Sequence, residues 1–130
     1  QKEAQNMAEK LFDSERKVME ALWREGDMTA GQLAKILKEE IGWNRNTTYT
    51  VIKKCVEKGA IERQEPNFFC KARLTRRQAQ RQETSRLIDR MFGGSAEQFF
   101  AAFLSDREFT PDQLDRLRRM IDESEGGEEA

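Results

Sequence analysis

Asn46, Tyr49, Thr50, Lys53 and Lys54 recur at three- and four-residue spacing within residues 43–59. Read at helical period, Thr48, Val51, Ile52 and Cys55 fall on one side of this stretch, with Val56 at its edge. Asn46, Thr50, Lys53 and Glu57 fall on the other side, with Tyr49 and Lys54 on the flanks. One face is therefore core, and the other is free to touch something. Amide, hydroxyl, phenol and ammonium groups with a single carboxylate near the far end can donate to phosphate oxygens and exchange hydrogen bonds with base edges. The pattern predicts a DNA-recognition helix, although a polar outer face is also what an ordinary surface helix shows.

Other chemistry is removed by what the chain lacks. Histidine is absent, so no serine–histidine or cysteine–histidine pair and no imidazole metal ligand can be assembled. The two cysteines, Cys55 and Cys70, are too few for a disulfide framework or a four-ligand zinc site. No enzyme, metal or cofactor is expected. No apolar run approaches the length of a membrane span and nothing near the start reads as a signal peptide, so a cytoplasmic protein without direct membrane insertion is expected.

The net charge of −1 conceals an asymmetry. Residues 43–82 hold ten Lys or Arg against three acids, a net of +7, which leaves −8 for the rest of the chain. A local basic footprint of this kind suits a polyanion better than does a uniformly basic surface, the alternative being a solvated charged face.

These residues need elements to position them. Gln1 to Lys10 show little periodicity, and Met7-Ala8-Glu9 reads as a native start. Asp13 or Ser14 can cap a first helix that carries Val18, Met19, Leu22 and Trp23 on one stripe and stops at Gly26. Thr29-Ala30-Gly31-Gln32 is a capping box opening a second helix with Leu33, Ile36, Leu37 and Ile41 on its apolar face. A brief turn through Trp43, whose ring is expected to plug the interhelix corner, leads into the recognition helix. Gly59 ends that helix. Residues 60–64 and 68–74 then read as two strands joined through Glu65-Pro66-Asn67. Helix, helix, helix, hairpin is winged-helix order. Arg63, Lys71 and Arg73 on the hairpin, with Arg45, Lys53 and Lys54 on the helix, are the expected phosphate contacts.

The second half differs in composition. Thr75-Arg76-Arg77-Gln78, Ser95-Ala96-Glu97-Gln98 and Thr110-Pro111-Asp112-Gln113 are three further capping boxes. They predict helices over 76–92, 96–105 and 111–123, with a disordered tail over 124–130. Five of the eight phenylalanines lie between Phe92 and Phe109. Three short helices cannot enclose so much aromatic surface alone, so a homodimer is expected. Its interface would comprise Leu87, Ile88, Met91, Phe92, Phe99, Phe100, Phe103, Leu104, Leu114, Leu117 and Ile121, unless these fold back on the winged helix within one chain. The fold class is therefore mainly α: a winged helix-turn-helix domain with a two-stranded wing over 11–74, then a three-helix dimerisation domain over 75–123. A two-fold axis would present two recognition helices to a palindromic site in double-stranded DNA.

Val18-Met19-Glu20-Ala21-Leu22-Trp23, then Thr29-Ala30, then Trp43 with Thr47, Thr50 and Lys58-Gly59, and finally 86–95 followed by Phe103-Leu104, resemble the penicillinase-repressor family of BlaI/MecI/CopY type. The resemblance covers about residues 11–122. It implies a dimeric winged-helix repressor of operators with inverted repeats, often with TACA-type half-sites. It implies base reading by Asn46, Thr47 and Thr50, to which the flanking Tyr49 is added, and a phosphate contact at Lys54. Members controlled by a membrane sensor protease are cut between an asparagine and a phenylalanine; here Ala102 precedes Phe103. Copper-responsive members carry C-terminal paired cysteines, whereas this chain has no cysteine beyond Cys70. The start Asn44-Arg45-Asn46 stands where relatives often have serine, proline and lysine.

Cys55 is expected as a small core hydrophobe and Cys70 as a partly buried strand residue, with a thiol switch as the sharper alternative. The favoured function is a sequence-specific repressor released by an inducing signal that the sequence does not name. A small-molecule- or redox-gated regulator and a winged helix serving only as a protein-interaction module are the competing readings.

Overall fold

A computed structural model describes residues 10–129, with side chains through residue 124; the start expected at Met7 lies outside the described residues. The chain forms two compact units, divided between Arg86 and Leu87.

The first unit contains α1 (Asp13–Glu25), β1 (Met28–Thr29), α2 (Ala30–Ile41), α3 (Arg45–Glu57), β2 (Ile61–Gln64), β3 (Phe69–Ala72) and the start of α4 (Arg76–Phe92). The cap of α1 differs from expectation. Asp13 and Ser14 are already helical, and the backbone N–H of Phe12 donates to Glu15 Oε1 at 2.8 Å. Glu15 can do this because it is held inside the protein, 1% exposed, by Lys58 Nζ at 2.6 Å. Lys58 also donates to the Lys10 carbonyl at 2.6 Å and sits 3.9 Å above the Phe12 ring. The end of α3 is thereby tied to the start of α1.

The capping box of α2 forms as read. Gln32 N–H donates to Thr29 Oγ1 at 3.2 Å, and Thr29 N–H donates to Gln32 Oε1 at 2.9 Å. Gly42, at φ 77°, turns the chain out of α2 in a conformation that suits glycine. Asn44 Oδ1 then accepts the Thr47 N–H at 2.7 Å and starts α3 two residues later than Gly42. This pair of caps makes the helix-turn-helix brief. Trp43 lies half-buried against the core, as a corner plug should.

The core is built from Val18, Met19 and Leu22 of α1, Leu33 and Leu37 of α2, Val51, Ile52 and Cys55 of α3, and Ile61 and Cys70 of the wing. Each large aliphatic side chain buried here contributes roughly 1.5–3 kcal/mol. The wing pairs β2 with β3 antiparallel, Arg63 opposite Cys70 and Glu62 opposite Lys71. A third strand was not foreseen: β1 pairs with β3, giving the order β1-β3-β2 with Met28 opposite Cys70. This pairing covers both edges of β3, and Cys70 is fully buried rather than partly buried.

The first unit extends beyond the boundary expected at residue 74. Ala79 is buried, Arg16 Nη2 meets Glu83 Oε2 at 2.6 Å, and Arg76 Nη2 meets Glu20 Oε1 at 3.3 Å. The indole N–H of Trp23 donates to the Leu74 carbonyl at 2.9 Å. The first half of α4 therefore belongs to the winged-helix unit, docked through the buried Ala79 and through charge pairs that hydrophobic periodicity does not register.

The second unit takes the rest of α4, α5 (Ala96–Ser105) and α6 (Pro111–Glu129). Phe92, Phe99, Phe103 and Phe109 form a ladder of rings with successive centroids 5.7, 6.1 and 5.7 Å apart. The tail expected to be disordered from 124 is helical through Glu129. Extending a helix already nucleated adds a backbone hydrogen bond per residue, and no proline interrupts it.

Candidate nucleic-acid interface

The inner face of α3 is the one read from its period: Thr48, Val51, Ile52 and Cys55 are buried. Its outer face carries Asn46, Thr47, Thr50, Lys53, Lys54 and Glu57, all exposed. Asn44 spends its side-chain oxygen on the cap, so the first free amide of the helix is that of Asn46. The N-terminal turn holds Arg45 and no acid, which leaves the positive end of the helix dipole available to an anion.

Tyr49 stands apart from the other three residues assigned to base reading. It is half-buried, its hydroxyl accepts a hydrogen bond from Arg45 Nη2 at 2.9 Å, and its ring packs edge-on against Phe68 with centroids 5.8 Å apart. The ring and the phenol oxygen are thus engaged within the protein. Its four-residue spacing from Arg45 and the approach of the wing bring this about.

On the wing, Lys71 and Arg73 are exposed. Arg63 is more constrained, paired with Glu65 and stacked 3.7 Å above the Phe68 ring. Phe68 was not singled out by sequence, yet it joins the two elements. It follows Asn67 in left-handed conformation, φ 71° and then 49°, a region that costs a bulky residue roughly 1–2 kcal/mol. Three contacts hold it there: Tyr49 against its edge, Arg63 over its face, and its carbonyl accepting the Ala30 N–H at 2.9 Å. A run of Pro-Asn at a hairpin is a turn signal, but the ring that follows it gives no local sign of a tertiary role. Thr29, Arg45, Tyr49, Arg63 and Phe68 line a shallow cleft of about 560 Å3.

Both thiols are buried, and burial favours their protonated form. Burial pushes Cys55 up to about 12 and Cys70 up to about 11, so neither supplies the thiolate that oxidation requires. Among the described residues no group of three or more acidic or cysteine side chains is placed to hold a metal ion, and no helix is long and apolar enough to cross a membrane.

The residues assigned to the dimer interface divide into two sets. Phe92, Phe99 and Phe103 turn inward to the ring ladder, and Ile88, Leu114 and Leu117 are half-buried. Leu87, Met91, Phe100, Leu104 and Ile121 are exposed, as is Met120. Ala102 and Phe103, the pair compared above with a cleavage position, lie within α5 and are both half-buried.

No curated protein matches the chain in sequence. Among solved structures it is similar to a MarR family regulator from Neisseria meningitidis, at 17% identity and a TM-score of 0.40, over 91% of this chain and 81% of that one. The penicillinase-repressor family profile matches residues 11–123, nearly the whole chain. The chain belongs to the penicillinase-repressor family, whose members are DNA-binding transcriptional regulators.

Proposed function

We propose that this regulator acts as a homodimeric repressor on a palindromic operator, with Asn46, Thr47 and Thr50 reading base edges and Arg45, Lys53, Lys54, Arg63, Lys71 and Arg73 contacting phosphates. The observation that carries the reading is the outer face of α3. Its outer positions are polar and exposed, its first turn holds Arg45 and no acid, and it adjoins a basic wing. TACA-type half-sites are the first to test, because of the family. The inverted repeat follows from the second unit. Beyond Arg86 the described residues expose six large apolar side chains, from Leu87 at 36% to Ile121 at 64%. Such a surface is stabilised by a second copy.

The test is selection of bound duplexes from a random pool by the full chain, followed by titration across salt. Two enriched half-sites in inverted repeat, separated by about one helical turn or a multiple of it, are expected. If two or three of these six basic side chains in each protomer neutralise phosphates, four to six per dimer, log K falls with log salt at a slope of about −4 to −5. No enrichment, and no binding tighter than micromolar at low salt, would leave a protein-interaction module as the better reading.

A further inference from the structure

The two elements that face DNA in this reading are joined by a chain of four side chains, of which only the two arginines at its ends need touch it. In order these are Arg45, Tyr49, Phe68 and Arg63. Arg45 donates to the Tyr49 hydroxyl at 2.9 Å and its guanidinium lies 4.8 Å from the centre of that ring. The Tyr49 ring meets the Phe68 ring at 82°. Arg63 lies 3.7 Å over Phe68. A guanidinium at each end thus flanks the cleft between α3 and the wing, with two aromatic rings between them.

We propose that Tyr49 and Phe68 are positioning residues that lock the wing to the recognition helix and hold Arg45 and Arg63 as one clamp on a single stretch of DNA backbone. The inference rests on the repressor reading above. Its physical basis is pre-organisation. A free arginine loses rotamer freedom when it pairs with phosphate, whereas one stacked on a ring has lost much of it already. The left-handed backbone at Asn67 and Phe68 fits the same role. A bulky residue remains at φ 49° only where surrounding contacts over-determine it, and here those contacts come from α3, the wing and the first N–H of α2.

Glu65 completes the arrangement. In the free protein it pairs with Arg63 and is largely exposed, at 61%. A phosphate arriving in the cleft competes for that guanidinium, so Glu65 acts as a placeholder that holds Arg63 extended along the wing and is displaced on binding. Removing it should strengthen binding to any duplex, because a carboxylate near the backbone repels it.

The test uses the full chain, the duplex it enriches from a random pool, and a mixed-sequence duplex of equal length. Phe68→Leu keeps apolar bulk but removes the ring face. It should stay folded, lose about tenfold in affinity for both duplexes, and reduce the salt slope by about one contact per protomer. Phe68→Tyr should restore affinity and slope. In the double variant Phe68→Leu with Arg63→Gln, the loss should equal that of Arg63→Gln alone, because Phe68 acts through Arg63. Glu65→Gln should tighten both duplexes several-fold. A Phe68→Leu protein with lowered melting temperature but unchanged salt slope, or additive losses in the double variant, would reduce Phe68 to packing and overturn the clamp. Absence of duplex binding by the unsubstituted chain overturns the repressor reading and the clamp with it, so the two failures are distinguishable.

Discussion

The two units of this chain solve opposite problems with similar materials. The first buries its apolar residues almost completely: Met19, Leu33 and Ile52 are at 0% exposure, and even a glutamate and a threonine are closed inside. The second, at least as rich in large apolar residues, buries none of α5 and leaves Phe100 and Ile121 half or more exposed. A finished interior lets the first unit hold a polar outer face in fixed geometry. An unfinished one leaves the second unit with an exposed apolar face, the face on which a second copy is proposed to pack.

The largest test of that contrast is a charge placed on the exposed apolar face. Phe100→Asp should leave the winged-helix unit folded while halving the solution mass measured by light scattering at micromolar protein. Operator affinity should then fall by about 100-fold or more, because two linked half-sites become two independent ones. The concentration dependence of the melting temperature should vanish together with the dimer. An unchanged mass would mean that the exposed face of α5 is not where copies meet.

Ion pairs give a second comparison. Glu15 and Lys58 form a pair that is 1% and 13% exposed, whereas Arg118 and Asp115 form one that is 68% and 63% exposed. Glu15→Ala removes the partner of a largely enclosed ammonium and the acceptor of the Phe12 N–H, so a loss of about 3 kcal/mol in chemical denaturation is expected. Asp115→Ala should cost at most about 0.5 kcal/mol. Glu15→Gln, which keeps an acceptor for the cap, should fall between them. Equal effects at the two sites would deny that the first unit has a distinct interior.

The sequence disclosed this division unevenly, and the reasons are physical. Helices over 76–92 and 96–105 were legible because their starts are local: Thr75 and Gln78 cap each other, and Ser95 accepts the Gln98 N–H. The buried stripe of α3 was legible because it repeats at helical period. β1 was not, since two residues carry no periodicity and its partner Cys70 lies far along the chain. The inward Glu15 was missed because Asp13 and Ser14 offer more familiar caps, and the buried carboxylate is tolerable only with the distant Lys58 beside the Phe12 N–H. Tyr49 looked like an outward-reaching phenol for the same reason that Phe68 went unremarked: each is explained by the other, across the gap between helix and wing.

Base readout itself should give a loss that depends on sequence. Thr50→Ala should cost about 1–3 kcal/mol on the enriched duplex and much less on random DNA. Equal losses on both would make α3 an electrostatic anchor. The first unit's closed interior also bears on redox control. With Cys55 raised to about 12 and Cys70 to about 11, both thiols keep their protons when folded and lose them near pH 9 when unfolded. Their contribution to stability is complete below the unfolded value and is lost as pH rises towards the folded ones, so stability should decline above about pH 9. At neutral pH both should resist alkylation in the native protein, and operator affinity should be equal with and without peroxide. A peroxide-sensitive chain with a resistant Cys70→Ser variant would restore the thiol switch.

The smallest expected effect probes an unpaired polar group in that interior. Thr48 is fully buried on the inner face of α3, and its hydroxyl has no hydrogen-bond partner among the described residues. Its backbone N–H is satisfied by the Asn44 carbonyl at 3.2 Å, so only the side chain is unpaired. Valine has nearly the same shape and the same branching at Cβ, and it carries no polar atom to desolvate. Thr48→Val should therefore stabilise the protein by up to about 1 kcal/mol, since an unpaired buried hydroxyl carries a penalty of about 1–3 kcal/mol and valine loses slightly in helix preference and fit. DNA affinity should not change, because the substitution lies on the face turned away from Asn46, Thr47 and Thr50. Destabilisation instead would show that the hydroxyl has a partner in solution, such as an enclosed water, and that the interior of the first unit is wetter than its packing suggests.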